Sequence, residues 1–420
     1  MQSHSWNPRA LRVSRGEVEL KMKKRIDVSL ADNLTPLQLI AFDACTRCNE
    51  CLNWCPVLDM TGDESLTTPE KIRIYGDLIR ARHGLLSKFA GPPEVENTLL
   101  EKLKEALYTC TTCGRCGEVC EVGINTQQLW PAMREKLVEL GIGPMGAQDQ
   151  TGPLTAEHHN PYGRPHAERF AWLPPDIEVA DRAEIGFYVG CSGAYVAQPM
   201  VVGAVRAFGA IGVPFTLFPD EWCCGFPLFI IGDNAQVAEI VRHNVEGFAG
   251  RGVKKLLVSC PCCTFMLRER WPEFYGAELP FEIVHTTQFI AEMIAAGKFK
   301  LTKSVPDRLT YHDPCYLSRG VRIIDEPRAV IAQIPNVDFV EMAECRELSR
   351  CCGAGGGLRR CNPALSVEMA RRLMADAGAV GADTLVIDCP ACFERMHLAQ
   401  GGLVTDLKIV DLMELVSQLF

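Results

Sequence analysis

Ten cysteines in the carboxy-terminal half of this 420-residue chain follow one pattern written twice. The first copy is Cys191, the adjacent pair Cys223–Cys224, then Cys260 and Cys263; the second is Cys315, the pair Cys351–Cys352, then Cys389 and Cys392. From lone cysteine to pair the gap is 31 residues in one copy and 35 in the other, and from pair to closing Cys-x-x-Cys it is 35 and 36. Thiolate is a soft, high-affinity ligand for iron, and an iron–sulfur cluster needs several thiolates gathered from distant loops. Core packing produces scattered small buried thiols and has no need of adjacent Cys–Cys pairs at a fixed offset. The repeat therefore predicts two equivalent metal-binding units.

The amino-terminal third carries two further runs. Cys45-x-x-Cys48-x-x-Cys51-x-x-x-Cys55-Pro56 has the spacing of bacterial-type ferredoxins, and Cys110-x-x-Cys113-x-x-Cys116-x-x-x-Cys120 follows it. In such runs three thiolates on a tight loop hold one [4Fe–4S] cubane and the fourth crosses to the other. The expected sets are Cys45, Cys48, Cys51 and Cys120 for one cubane, and Cys110, Cys113, Cys116 and Cys55 for its neighbour. Glu121 stands where the second run would have proline, which leaves the ligands intact. Zinc is the competing metal for Cys-x-x-Cys pairs, but two complete four-cysteine runs favour iron.

Twenty-one cysteines without a recognisable signal peptide argue against a secreted disulfide scaffold. Met1 to Arg25 is polar and basic, and no stretch approaches eighteen uninterrupted apolar residues. A net charge of −9 disfavours a nucleic-acid partner. The expected location is cytoplasmic, or peripheral to the inner face of a membrane through a partner. At 47% apolar and 23% charged residues, the chain has length and composition for two or three soluble domains.

The elements that must position these thiols are legible in outline. Pro69–Arg80, Glu94–Leu107 and Thr126–Leu140 repeat apolar residues at three- and four-residue steps, with Thr68 as candidate N-cap and Gly141 as a stop. Residues 1–141 thus form a small helical module. Residues 142–183 are rich in proline and glycine and read as an extended, wrapping linker, with His158, His159 and His166 as solvated loop residues. Residues 184–305 and 306–420 each read strand, helix, strand. Glu184–Gly190 leads to Cys191 and Lys254–Ser259 to Cys260; Arg308–His312 leads to Cys315 and Asp383–Asp388 to Cys389. Ligands just past strand ends are the usual site of open parallel sheets. The expected fold is α+β multi-domain: a helical two-cluster ferredoxin-like domain, then two pseudo-symmetric α/β (Rossmann-like) cysteine-rich lobes.

With Cys224-Gly225, Cys352-Gly353, His312-Asp-Pro-Cys315 and the loop Cys352-Gly-Ala-Gly-Gly-Gly357, the second half resembles the cysteine-rich domain found in the B-type subunit of heterodisulfide reductase. The first third resembles the C-type subunit of that enzyme. The two in this order resemble its D-type subunit family, from about Cys45 to the end. The resemblance implies two non-cubane [4Fe–4S] clusters, one on each five-cysteine set, beside the two cubanes. It also implies a disulfide substrate between them, receiving one electron from each side. Some relatives of that family that only relay electrons have lost cysteines from one set, whereas this chain keeps all ten.

Two readings follow: a thiol–disulfide oxidoreductase subunit, or an electron-relay subunit of a flavin-, cytochrome- or acyl-CoA-reductase-linked complex. A zinc scaffold is a third. No flavin or nicotinamide motif is visible, so electrons are expected from a flavoprotein or membrane-cytochrome type of partner. His312, with Asp313 to orient it, is the candidate proton donor for a cleaved disulfide; the alternative is that both merely shape the Cys315 loop. Cys262, Cys345 and Cys361 fall outside the pattern. Asp406–Phe420 reads as one amphipathic helix packed on its own lobe.

Overall fold

The computed structural model describes residues 23–25, 30–84, 89, 94–401 and 406–420, so most of Met1–Arg25 lies outside the described residues. The amino-terminal module is helical, with Pro36–Ala44, Thr68–His83, Asn97–Tyr108 and Thr126–Glu139 as its longest helices. A short antiparallel pair, β1 (Lys23–Arg25) with β2 (Glu94–Glu96), closes one edge. Two expectations shift here. Glu94–Glu96 is strand, because only Val95 of the three is buried, a period-two pattern, and the helix begins at Asn97. Thr67, in extended conformation, is the N-cap of the next helix back, and Thr68 and Pro69 are already helical. Proline is tolerated there because first-turn amides have no intrahelical acceptor.

Residues 142–183 are less extended than their composition suggests. Thr151–His158 is an α-helix between 3₁₀ turns at Gly146–Gln150 and His166–Glu168. Its weak apolar periodicity hides it in the sequence; what it buries is polar, and Gln148, Asn160 and Arg169 are fully enclosed.

The two lobes repeat one topology. The first sheet runs β4 (Phe215–Thr216), β3 (Ile185–Tyr188), β5 (Lys255–Val258), β6 (Glu282–His285). The second runs β8 (Asp338–Phe339), β7 (Arg308–Tyr311), β9 (Thr384–Ile387), β10 (Lys408–Asp411). Both are wholly parallel with strand order 2-1-3-4. Such sheets are buried on both faces, which is why Leu256, Leu257 and Val258 form a continuous apolar run. The order reverses between the first and third strands, and that switch point opens a crevice at their carboxyl ends. Cys191 follows β3, Cys260 follows β5, Cys315 follows β7 and Cys389 follows β9. Phe187, Leu257 and Val284 of one lobe share a core with Leu309, Tyr311 and Val386 of the other.

The carboxy-terminal segment departs from expectation twice. Lys408–Asp411 completes the second sheet as β10, and only Leu412–Ser417 is helical. That helix packs across the lobe boundary on the Gln198–Ile211 helix, where Gly203 lies directly against the Met413 backbone. A side chain at 203 would collide with it, so glycine there lets the two lobes lock.

Candidate metal centre

In the first lobe the five thiols form a connected series ringing one cavity. Cys191 meets Cys223, Cys223 its neighbour Cys224, Cys224 meets Cys263 at 3.3 Å, and Cys263 meets Cys260. The loops are held hard: the Trp271 indole donates to the Cys224 carbonyl at 2.9 Å, and the Cys223 amide to the His159 carbonyl at 2.9 Å. Gly225 follows the pair in the left-handed region at φ +86°. In the second lobe Gly353 does the same at φ +82°, and a side chain there would strike the Ser366 carbonyl.

The second ring matches. Cys351 meets Cys315 and Cys352, and Cys352 meets Cys392 at 3.0 Å. All twenty-one cysteines are free, and these separations are far beyond the ~2.05 Å of a disulfide. In each lobe the second member of the pair is driven towards thiolate. Burial pushes Cys224 up, but hydrogen bonds from Cys223 and Cys263 outweigh it and bring it down to about 6. Hydrogen bonds from Cys351 and Cys392 lower Cys352 likewise. Burying thiolates without a cation is costly, and five soft donors around one cavity exceed the four of a structural zinc. The donor sets fit iron–sulfur clusters.

His312 lies inside the second set. Its Nε2 is 3.6 Å from Cys392 Sγ, and among the described residues His312, Cys352 and Cys392 form the one group with metal-holding geometry. Asp313 does not orient it. Both Asp313 oxygens are taken by Arg328, at 2.7 and 2.9 Å, and one by the Arg346 amide. The partner of His312 is Ser349, 3.3 Å from Nδ1.

In the helical module Cys45, Cys48, Cys51, Cys116 and Cys120 line one cavity, with Cys48 exposed. Burial and the neighbouring Cys116, Cys45, Cys48 and Cys120 push Cys51 up to about 12. Cys55 stands instead beside Cys110 and Cys113. Cys116 borders both groups, and burial, Cys110 and Cys113 raise it to about 12.

The second run is docked on the second lobe. Cys113 meets Cys351 directly. The glycine-rich loop is pressed against this run: a side chain at Gly356 would collide with the Cys110 carbonyl. Three arginines that carry no sequence motif hold the assembly. Arg134, fully buried, donates to the carbonyls of Leu107 and Cys110 in the module, Ile230 in the first lobe and Gly356 in the second. Arg319 donates to the Cys113, Glu347 and Ser349 carbonyls. Arg169 pairs with buried Glu221 and lies 3.9 Å from Cys191 Sγ. The pattern of apolar residues could not reveal them, because each is enclosed by polar groups contributed from distant segments.

Between the lobes lies an open cleft of about 90 Å³, lined by Cys191, Cys224, Cys260, Tyr162, Arg359 and the glycine-rich loop. Cys262 lines it too, opposite Ala391 of the other lobe. Cys345 sits near Glu341 and Asp313, and Cys361 points at the Tyr108 carbonyl at 3.3 Å; neither joins a ring. The linker histidines are packed more than expected. His159 stacks on Trp222 at 3.9 Å, and His166 Nε2 lies 3.1 Å from Asp220.

Comparison with known proteins agrees with this architecture. A family model described as a 4Fe-4S dicluster domain matches residues 41–124, and one described as a cysteine-rich domain matches twice, at 185–268 and 309–397. The chain is 40% identical to the D-type subunit of dihydromethanophenazine:CoB–CoM heterodisulfide reductase from Methanosarcina barkeri, over 94% of this chain and 98% of that one. It is 28% identical to the B-type subunit of fumarate reductase (CoM/CoB) from Methanothermobacter marburgensis, covering 90% and 72%. It is 29% identical to EtfAB:quinone oxidoreductase of Syntrophomonas wolfei, covering 76% and 48%. A crystal structure of a hypothetical protein from Helicobacter pylori shares the fold, with TM-score 0.51 and 12% identity over 90% of this chain and 76% of that one. Among the described residues no helix is long and apolar enough to cross a membrane. With helical dicluster module, duplicated cysteine-rich lobes and near full-length similarity all present, the chain belongs to the D-type family of heterodisulfide reductase iron–sulfur subunits.

Proposed function

We propose that this chain carries electrons from a partner protein to a disulfide in the interlobe cleft, through units spanning 1–141, 184–305 and 306–420 with 142–183 wrapping between them. Cys45, Cys48, Cys51 and Cys120 would hold one cubane, Cys110, Cys113, Cys116 and Cys55 the other, and the two five-cysteine sets a non-cubane cluster each. When bound, these groups supply one-electron steps, two of which reduce a disulfide. The protein's own contribution is order and enclosure. Exposed Cys48 marks the face a flavoprotein or cytochrome-type partner would approach. The observation that carries the reading is the meeting of Cys113 with Cys351, which sets the second run directly against the second five-cysteine set.

Anaerobic iron and acid-labile sulfide analysis should give about sixteen irons per chain, and reduced methyl viologen should drive turnover of the CoB–CoM heterodisulfide. An iron count near eight would remove the paired clusters. A second reading, electron relay without a substrate of its own, is favoured by the similarity to EtfAB:quinone oxidoreductase. It is the outcome if iron is complete and no disulfide is consumed.

His312 would serve as a hydrogen-bonding neighbour of Cys392, held by Ser349. Loss of such an outer partner commonly costs about 10–100-fold. His312→Gln should lower disulfide turnover by that range at equal iron content. An unchanged rate and pH profile from pH 6 to 9 would take His312 out of the reaction.

A further inference from the structure

Reducing a disulfide, R–S–S–R′ + 2 e⁻ + 2 H⁺ → R–SH + R′–SH, breaks one S–S bond and needs two protons as well as two electrons. The electrons come from a reduced partner protein. The structure also holds a candidate source for the protons, away from the cleft mouth.

Where the two sheets end between the lobes, five fully buried polar residues stand at five strand ends. Ser259 follows β5, His285 ends β6, Tyr311 ends β7, Asp388 follows β9 and Asp411 ends β10. In each, one polar atom lacks a partner among the described residues: Ser259 Oγ, His285 Nε2, Tyr311 OH, Asp388 Oδ1 and Asp411 Oδ2. The remaining atoms tie the layer together. Thr287 Oγ1 of the first lobe donates to Asp388 Oδ2 of the second, and His285 Nδ1 lies 3.9 Å from that oxygen. Buried polar atoms are paired almost without exception, by ordered water where the protein offers nothing. Five such atoms, contributed by both lobes, form one polar seam.

The seam has two ends. Ser259 and Asp388 directly precede Cys260 and Cys389, the closing thiols of the two rings. Asp411 caps the last helix, accepting from the Met413 amide at 2.8 Å and the Glu414 amide at 3.4 Å, and Glu414 is half-exposed at the surface.

We propose that the seam holds a chain of buried waters that supplies protons to the cleft, with Glu414 as its entrance and Asp411 as its buried carrier. This role rests on the disulfide-reducing function above. Thr287, Ser259 and Asp388 act as fixed hydrogen-bonding posts for the waters. Burial holds the Asp411 carboxyl well above its ordinary value, and Asp388 and Glu414 push it further up, while the two amides pull the other way. Tyr311 also faces it. Burial raises Glu414 as well. Both carboxyls are thus suited to hold a proton and hand it on.

Three measurements on the anaerobic, fully loaded protein decide this. A high-resolution crystal structure should show waters on the five orphan atoms; a dry seam overturns the proposal. Infrared spectra should contain a protonated-carboxyl band that Asp411→Asn removes, and its presence in the variant would exclude Asp411 as carrier. With reduced methyl viologen and the CoB–CoM heterodisulfide, Asp411→Asn, which keeps the helix cap, should lower kcat about 100-fold. Its solvent deuterium isotope effect should rise, with KM and iron content unchanged. Glu414→Gln should act in the same direction and more weakly. A variant whose rate falls only with its iron content, or whose isotope effect stays at the wild-type value, would reduce Asp411 to a structural cap. If wild-type protein does not turn over the disulfide, the functional reading fails and the path's role with it; the crystal structure still decides whether the seam is wet.

Discussion

Cys352→Ser is expected to abolish disulfide turnover and remove about four irons per chain, while leaving the ferredoxin-type signals intact. Cys352 is where the second ring converges: Cys351, Cys392 and His312 all hydrogen-bond to it, and together they lower its pKa. Serine keeps the volume and loses the soft donor and the thiolate. Removing an outer-shell neighbour of a metal commonly costs about 10–100-fold, so removal of the ligand itself should exceed about 100-fold. Cys48→Ser should do the converse, because Cys48 is exposed on the far cavity. It should slow electron entry and weaken a cubane signal while the second-half signals persist. Electron paramagnetic resonance of both variants, reduced and then treated with disulfide, provides the check. Loss of the same signals in both would mean that the halves do not bind their clusters independently.

Arg134→Ala should be the most destabilising single change outside the cysteines. Its guanidinium serves carbonyls at Leu107, Cys110, Ile230 and Gly356, so one side chain joins the helical module to both lobes. Removing it strands four carbonyl oxygens, and each unpaired buried group costs about 1–3 kcal/mol. The loss should be about 4 kcal/mol or more, lessened by whatever water enters. Arg134→Lys restores the charge but not the planar fork, so it should recover only part. Anaerobic thermal denaturation of the loaded protein measures this, and a midpoint within a degree of wild type for Arg134→Ala would refute it. The same variant should slow reduction of the second-half clusters by a rapid reductant acting at the module, since Arg134 grips both Cys110 and the Gly356 loop.

The sequence by itself determined the repeated cysteine pattern and the duplicated α/β plan. Cysteine spacing is local information, and the lone cysteine and closing Cys-x-x-Cys fall at the ends of short apolar runs of strand length. Strand order and register then placed those cysteines at a crevice the sequence could only suggest. What the sequence could not disclose is everything made between segments far apart in the chain. Arg134, Arg169 and Arg319 are ordinary charged residues until carbonyls, a buried glutamate and a thiol from elsewhere enclose them. Asp313 stands next to His312 in sequence, yet Arg328 captures it and Ser349 holds the imidazole instead. The last fifteen residues read as one helix because Val410, Met413, Leu415, Val416 and Leu419 have the right period. The vacant edge of the second sheet claims Lys408–Asp411 as a strand, and the turn that follows carries the remainder onto the other lobe. Periodicity reports which side chains seek burial; which surface buries them, and which polar atoms are left to find water there, is decided only when the lobes close.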